Sequence, residues 1–234
     1  MKKKILTSGC SFTSGGWETD LCQHYDIRCL ARPSAGNKYI ADSIIYHLPK
    51  DNYDHVLVMW SGLTRLDLPI KHAEYFNDYI GKLLVGETNY IMSGGEAGNW
   101  LYHPMAKTLF SSQYKFMTFE DLAILSLGEI IKLQNFLKGR GMSYHFMTYI
   151  NYWNQPEDWI SKNCDRGLNN YPALNDLIAE IDFDHWIFTN NSKDGIFELA
   201  TAIDSFQEDC FHPGEQAHQQ WADLVYSNLV TRDS

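Results

Sequence analysis

Ile5-Leu6-Thr7-Ser8-Gly9-Cys10-Ser11-Phe12 is a short apolar run that breaks on a glycine and carries a serine just past the break. Residues 3–9 read as a strand and Gly9 to Phe12 as the turn that ends it. A strand this close to the first residue fits the central strand of an α/β sheet, whose neighbours tie it down. The chain then alternates. Tyr25–Leu30 is a weak second strand, and Arg32-Pro33-Ser34-Ala35-Gly36-Asn37 has the residues of a turn. Tyr39, Ile40, Ile44, Ile45 and Leu48 recur at helical spacing, and Pro49 ends that helix. Asp54–Trp60 is the clearest strand, because Val56 to Trp60 is continuously apolar, as in a strand covered on both faces.

Further along, Leu122, Ile124, Leu125, Leu127, Ile130, Ile131, Leu133 and Leu137 mark a helix over Phe119–Leu137, stopped by Gly139 and Gly141. Ser143–Ile150 is the next strand and Leu174–Ile181 a short helix. His185–Phe188 reads as a short strand and Gly195–Ala202 as a short helix. The last helix follows Pro213-Gly214 and runs to about Val230. Strand-helix alternation predicts a parallel sheet with helices on both faces. In such sheets the reactive groups gather at the carboxyl ends of the strands, where Ser11 and Ser61 fall.

Two stretches fit this scheme less simply. Residues 71–84 read as helical. Residues 86–118 hold four glycines among Tyr90, Trp100, Tyr102 and His103 and show no regular period. They read as an insertion, either an active-site loop or decoration, within a single domain spanning 1–234. Asn151–Pro172 is a second polar and aromatic loop region, with Tyr152, Trp153 and Trp159.

Composition excludes more than it assigns. A net charge of -10 argues against nucleic acid, which needs a basic footprint, and against anionic membranes. Neither a membrane span nor a secretory leader is read from the sequence. Five cysteines without a C-x-x-C spacing suit a reducing, cytoplasmic compartment. The aromatic share of 14% suits core packing first and ring stacking on a sugar second.

The chemistry lies at the two ends of the chain. A serine hydroxyl needs a base to become a nucleophile. Asp209 precedes His212 by three residues, so its carboxylate can hold one ring nitrogen and leave the other facing outward as that base. Taken alone, Gly9-Cys10-Ser11 is a plain turn and Asp209-Cys210-Phe211-His212-Pro213 a surface loop. His212, His218 and Glu215 do not make a metal site, since six residues on a helix put the imidazoles on different faces.

Together and in this order, the Ser11 turn, Gly36-Asn37, Trp60-Ser61 and D-x-x-H-P resemble the SGNH (GDSL-type) hydrolases over nearly the whole chain. The resemblance implies a flavodoxin-like three-layer α/β/α sandwich around a parallel sheet of about five strands. It implies that Ser11 is the nucleophile, with His212 and Asp209 completing a triad, and that the N–H groups of Ser11 and Gly36 hold the oxyanion. This sequence departs from the pattern twice. Cys10 stands where the family has Asp, and Trp60-Ser61-Gly62-Leu63-Thr64-Arg65 lacks the family's oxyanion-binding Asn. Ser61, Arg65 or Asn37 is left to supply that donor. Cys10 and Cys210 are expected as reduced, packed thiols, with a disulfide between them as the minor alternative.

The expected function is hydrolysis of a small-molecule or glycan ester, such as an O-acetyl group on a carbohydrate, through an acyl-enzyme. No metal or organic cofactor is required. The alternative is a non-catalytic carbohydrate-binding module on the same scaffold. The sequence leaves the oligomeric state open.

Overall fold

A computed structural model describes residues 2–71, 82–86, 88–95, 98, 101, 103–154, 167–208 and 212–233. Its central sheet is parallel and four-stranded. The strands are β1 (Lys4–Ser8), β2 (Asp26–Cys29), β3 (His55–Trp60) and β7 (Tyr144–Thr148), in the order β2-β1-β3-β7. All residues of β3 and β7 are buried, which is why both read as unbroken apolar runs rather than alternating ones. The fifth strand expected at 185–188 shrinks to one parallel bridge, Phe146 to Trp186, with the Ile187 N–H donating to the Phe146 carbonyl at 2.9 Å. Phe183–His185 turns as a 3₁₀ helix just before it, so too little extended chain remains for a ladder.

Right-handed crossovers sort the helices. The chain leaves β1 through α1 (Trp17–Leu21) and moves to β2 at one edge; α2 (Asn37–His47) then carries it back across to β3. Opposite travel places α1 and α2 on opposite faces. α4 (Phe119–Gly139) packs beside α2, and α7 (Glu215–Asp233) packs on α1. α4 starts on a capping box: Thr118 Oγ1 accepts the Asp121 N–H, and Asp121 Oδ2 accepts the Thr118 N–H. The helix runs through Gly139, and Gly141 at φ 62° turns the chain into β7. Two short helices, α5 (Asn175–Ala179) and α6 (Ile196–Ala202), complete the part between β7 and α7.

The inserted region is more regular than its sequence predicts. β4 (Asp67–Ile70), β5 (Lys82–Val85) and β6 (Thr88–Met92) form a small antiparallel sheet, and α3 (Pro104–Phe116) follows. Residues 82–84 are therefore strand where helix is expected; residues 72–81 lie outside the described residues. Within 86–118, the expected irregular chain is replaced by β6 and α3. Strands of four or five residues are too short for periodicity to reveal, and the insertion is held by a second core of Leu66, Ile91, Ala106, Phe110 and Leu122. Trp100, Tyr102 and Trp159 lie outside the described residues. The other tryptophans, Trp17, Trp60, Trp153, Trp186 and Trp221, are buried, so this part of the aromatic share is core packing.

Candidate active site

β1 ends at Ser8, and the next residues wind into a tight turn in which the N–H groups of Thr13 and Ser14 both donate to the Cys10 carbonyl, at 3.0 and 3.1 Å. Gly9 permits this close winding, because a Cβ there would sit 2.2 Å from Thr13 Oγ1. Cys10 and Phe12 are buried on the inner side, while Ser11 between them is partly exposed. Cys10 is an unbridged thiol sealed in the core, which separates it from the reactive side of the turn. Among the described residues the Ser11 N–H has no acceptor.

Two buried side chains that the sequence reading does not single out for this task fix the turn. Glu18 accepts the N–H groups of Gly15 and Gly16, at 2.6 and 2.9 Å. His218 of α7 accepts the Trp17 N–H on Nδ1 at 3.2 Å. Burial, with a smaller push from His212, takes the His218 imidazole down to about 4, so it stays neutral and able to accept. This bond occupies His218 in a structural role. The signal for Glu18 is present as Gly15-Gly16-Trp17-Glu18, a carboxylate at the start of a helix. The His218 contact spans 201 residues and has no local signal.

His212 sits at the mouth of the same turn. Its loop is held by an antiparallel bridge between Phe206 and Pro213, by the Gln207 N–H donating to the His212 carbonyl, and by the Gly214 N–H donating to the Ser205 carbonyl. His212 Nε2 lies 2.8 Å from Ser11 Oγ. The imidazole packs on Phe12, with ring centroids 5.0 Å apart, and Phe12 packs on Tyr149. Burial and then the Arg65 charge lower its pKa from the ordinary histidine value. The ring is therefore neutral at pH 7 and able to take a proton from the hydroxyl. Asp209 and Cys210 lie outside the described residues.

The oxyanion side departs from expectation. The Gly36 N–H donates to Asp67 Oδ1 at 2.9 Å, and the Tyr39 N–H donates to Asp67 Oδ2 at 2.8 Å. Asp67 thus caps α2 from another strand, because Gly36 at the cap position has no side chain to do so. Burial pushes the Asp67 carboxyl up to about 7 against the pull of these two N–H groups and of Arg65. Asn37 is also occupied: its Oδ1 accepts the Ser61 N–H at 2.8 Å, and its Nδ2 donates to the Ser61 carbonyl at 3.3 Å. The Ser61 hydroxyl is wholly buried, with no hydrogen-bond partner among the described residues. Of the groups expected to face a substrate oxygen, the Gly36 N–H and the Asn37 amide are bonded within the protein, and the Ser61 hydroxyl is buried. What they do instead is tie the start of α2 to the end of β3 and to β4.

No protein-family model matches the chain, and no curated protein matches it by sequence. Solved structures do match. One is an acetyl xylan esterase, AlAXEase, at 12% identity and a TM-score of 0.51, covering 96% of this chain and 98% of that one. Another is the psychrotrophic esterase EstA from Pseudoalteromonas sp., inhibited by monoethylphosphonate, at 11% identity and a TM-score of 0.50, covering 98% of both chains. A third is a GDSL-like lipase from Bacteroides thetaiotaomicron, at 9% identity and a TM-score of 0.51, covering 98% of this chain and 89% of that one. The chain shares the fold of these structures, an α/β/α sandwich on a four-stranded parallel sheet. Among the described residues no helix is long and apolar enough to cross a membrane.

Proposed function

We propose that the protein is a serine esterase or acyl hydrolase. The observation that carries this reading is the 2.8 Å approach of His212 Nε2 to Ser11 Oγ, made by a neutral imidazole. Ser11 attacks the ester carbonyl while His212 takes its proton. An acyl-enzyme forms as the alcohol leaves with that proton, and water then releases the acid by the same steps. Asp209, three residues ahead of His212, orients the ring from Nδ1.

The substrate class is read from the fold neighbours. The fold neighbours include an acetyl xylan esterase and a GDSL-like lipase. We take an O-acetylated carbohydrate as the substrate class from these neighbours, since Tyr90, Tyr152 and Trp153 of the two aromatic regions are buried in the core. The chemistry calls on no metal or organic cofactor.

Short p-nitrophenyl esters test the assignment. Ser11→Ala should lower kcat about 10³-fold or more with the fold intact. Equal rates in both proteins would remove Ser11 from the mechanism. One observation favours a second reading, a non-catalytic carbohydrate-binding module: the bonding of Gly36 and Asn37 away from the oxyanion position. That reading expects no labelling of Ser11 by a fluorophosphonate together with retained binding of oligosaccharides.

A further inference from the structure

An ester hydrolase needs donors for the carbonyl oxygen as it becomes an oxyanion, and removal of one such donor costs about 10²–10³ in rate. In this site most of the expected donors are committed elsewhere. The Gly36 N–H is bonded to Asp67, the Asn37 amide to the Ser61 backbone, and the Ser61 hydroxyl is sealed in the core. The Ser11 N–H alone would leave a one-donor hole.

Arg65 stands beside this gap. Its Nη1 donates to the Ala35 carbonyl at 3.4 Å, next to Gly36, and its guanidinium carbon lies 5.8 Å from the centroid of the Tyr149 ring. Tyr149 packs on Phe12, and Phe12 on His212, so a chain of ring contacts links the guanidinium to the histidine. The Arg65 charge is also felt by His212, whose pKa it helps to lower. Arg65 is partly exposed, which leaves it accessible to substrate.

The loop that carries Arg65 is fixed at each turn. Its N–H donates to the Gly62 carbonyl. The Leu63 carbonyl accepts from Ser126 of α4 at 2.8 Å, and the Thr64 carbonyl accepts from Tyr114 of α3 at 2.8 Å. The inserted helix α3 therefore braces the Arg65 loop. Both Asp67 oxygens are bonded to backbone N–H groups, and Arg65 acts on Asp67 through its charge. A guanidinium has five N–H donors and stays charged at any working pH.

We propose that Arg65 is a catalytic residue of this site, donating from its guanidinium to the substrate oxyanion in place of the missing asparagine. The assignment rests on the hydrolase reading above. As Ser11 Oγ bonds to the carbonyl carbon, its proton passes to His212 Nε2 and the carbonyl π pair moves onto oxygen. That anion accepts N–H from Arg65 and from the Ser11 backbone. When the pair returns, the bond to the alcohol oxygen breaks and the leaving alkoxide takes the proton from His212.

The test compares wild type, Arg65→Ala and Arg65→Lys on p-nitrophenyl acetate. Arg65→Ala should lower kcat about 10²–10³-fold with KM changed less than about threefold. Millimolar guanidinium, far below denaturing concentrations, should restore part of the lost rate. Arg65→Lys should recover part of it without the planar fork. The acid limb of kcat/KM should also move up towards pH 6.5 in Arg65→Ala, since a positive charge near His212 is gone. Loss of that size with rescue supports the assignment. An active wild type with an unaffected Arg65→Ala, or a variant that raises KM and leaves kcat intact, overturns it while the esterase reading stands. A wild type that neither hydrolyses the ester nor reacts with a fluorophosphonate refutes both.

Discussion

His218 shows how one side chain ties the geometry of the candidate site to stability. Its neutral Nδ1 caps the helix that follows the Ser11 turn, and a Cβ on Gly16 would meet the ring at 2.4 Å. Burial lowers its folded pKa to about 4 from an unfolded value near 6.5. The unfolded chain therefore binds the proton more readily between these values. Stability from His218 is complete above pH 6.5 and is lost as pH falls through 4. Asp67 and Glu198, both pushed up to about 7 by burial, slope the other way: their stability is complete below the ordinary carboxylate range and is lost as pH rises through 7. His218→Asn, which keeps an acceptor for the Trp17 N–H but does not titrate, isolates the histidine part. The urea midpoint of wild type should fall more between pH 7.5 and 4.5 than that of the variant. Parallel slopes would show that His218 does not carry the acid sensitivity. Little of this was visible in the sequence, where His218 is one more helix residue beside Gln219 and Gln220.

Among the elements, α2 has the least ordinary start. Its capping residue is Gly36, and the cap comes from Asp67 in β4, 31 residues away. The glycine is required by space and not by φ, which is −97°. A Cβ at Gly36 would lie 2.8 Å from the Arg65 carbonyl oxygen and from Asp67 Oδ2. Gly36→Ala should cost about 1–3 kcal/mol through overpacking and should lower the rate of the proposed ester hydrolysis, because both neighbours must move. Gly128 provides the contrast within α4. It is exposed in mid-helix with open space around its Cβ position, so Gly128→Ala should gain about 0.5–1 kcal/mol. Thermal melts of the two variants should shift in opposite directions; shifts of the same sign would sink the steric account of Gly36. The turn at Arg32–Asn37 is legible in sequence as turn residues. The identity of its anchor is not, since Asp67 lies in a four-residue strand with no marked pattern.

At the scale of the whole molecule, α7 brings the two ends of the chain together. It packs on α1, donates His218 to the Ser11 turn, and holds the His212 loop through the Ala217 N–H to Ser205 Oγ at 3.2 Å. Trp221 is its fully buried anchor in the main core. Trp221→Ala should cost about 3–5 kcal/mol. The proposed ester hydrolysis and the fluorescence signal of unfolding should be lost at one midpoint, because the site and the core share this helix. Activity lost well below the unfolding midpoint would mean that the His212 loop detaches on its own. The linear chain determines the main sheet: β1, β3 and β7 are buried on both faces, so their composition alone marks them, and amphipathic spacing marks α2 and α4. It also places Ser11 and His212 at loop positions next to regular elements. Tertiary structure alone decided their 2.8 Å separation, the withdrawal of Gly36 and Asn37 into internal hydrogen bonds, and the position of Arg65 beside the gap that they leave. The physical reason is range. Burial and periodicity are properties of neighbouring residues, whereas a hydrogen bond between residues 11 and 212, or between 36 and 67, depends on how the finished layers stack.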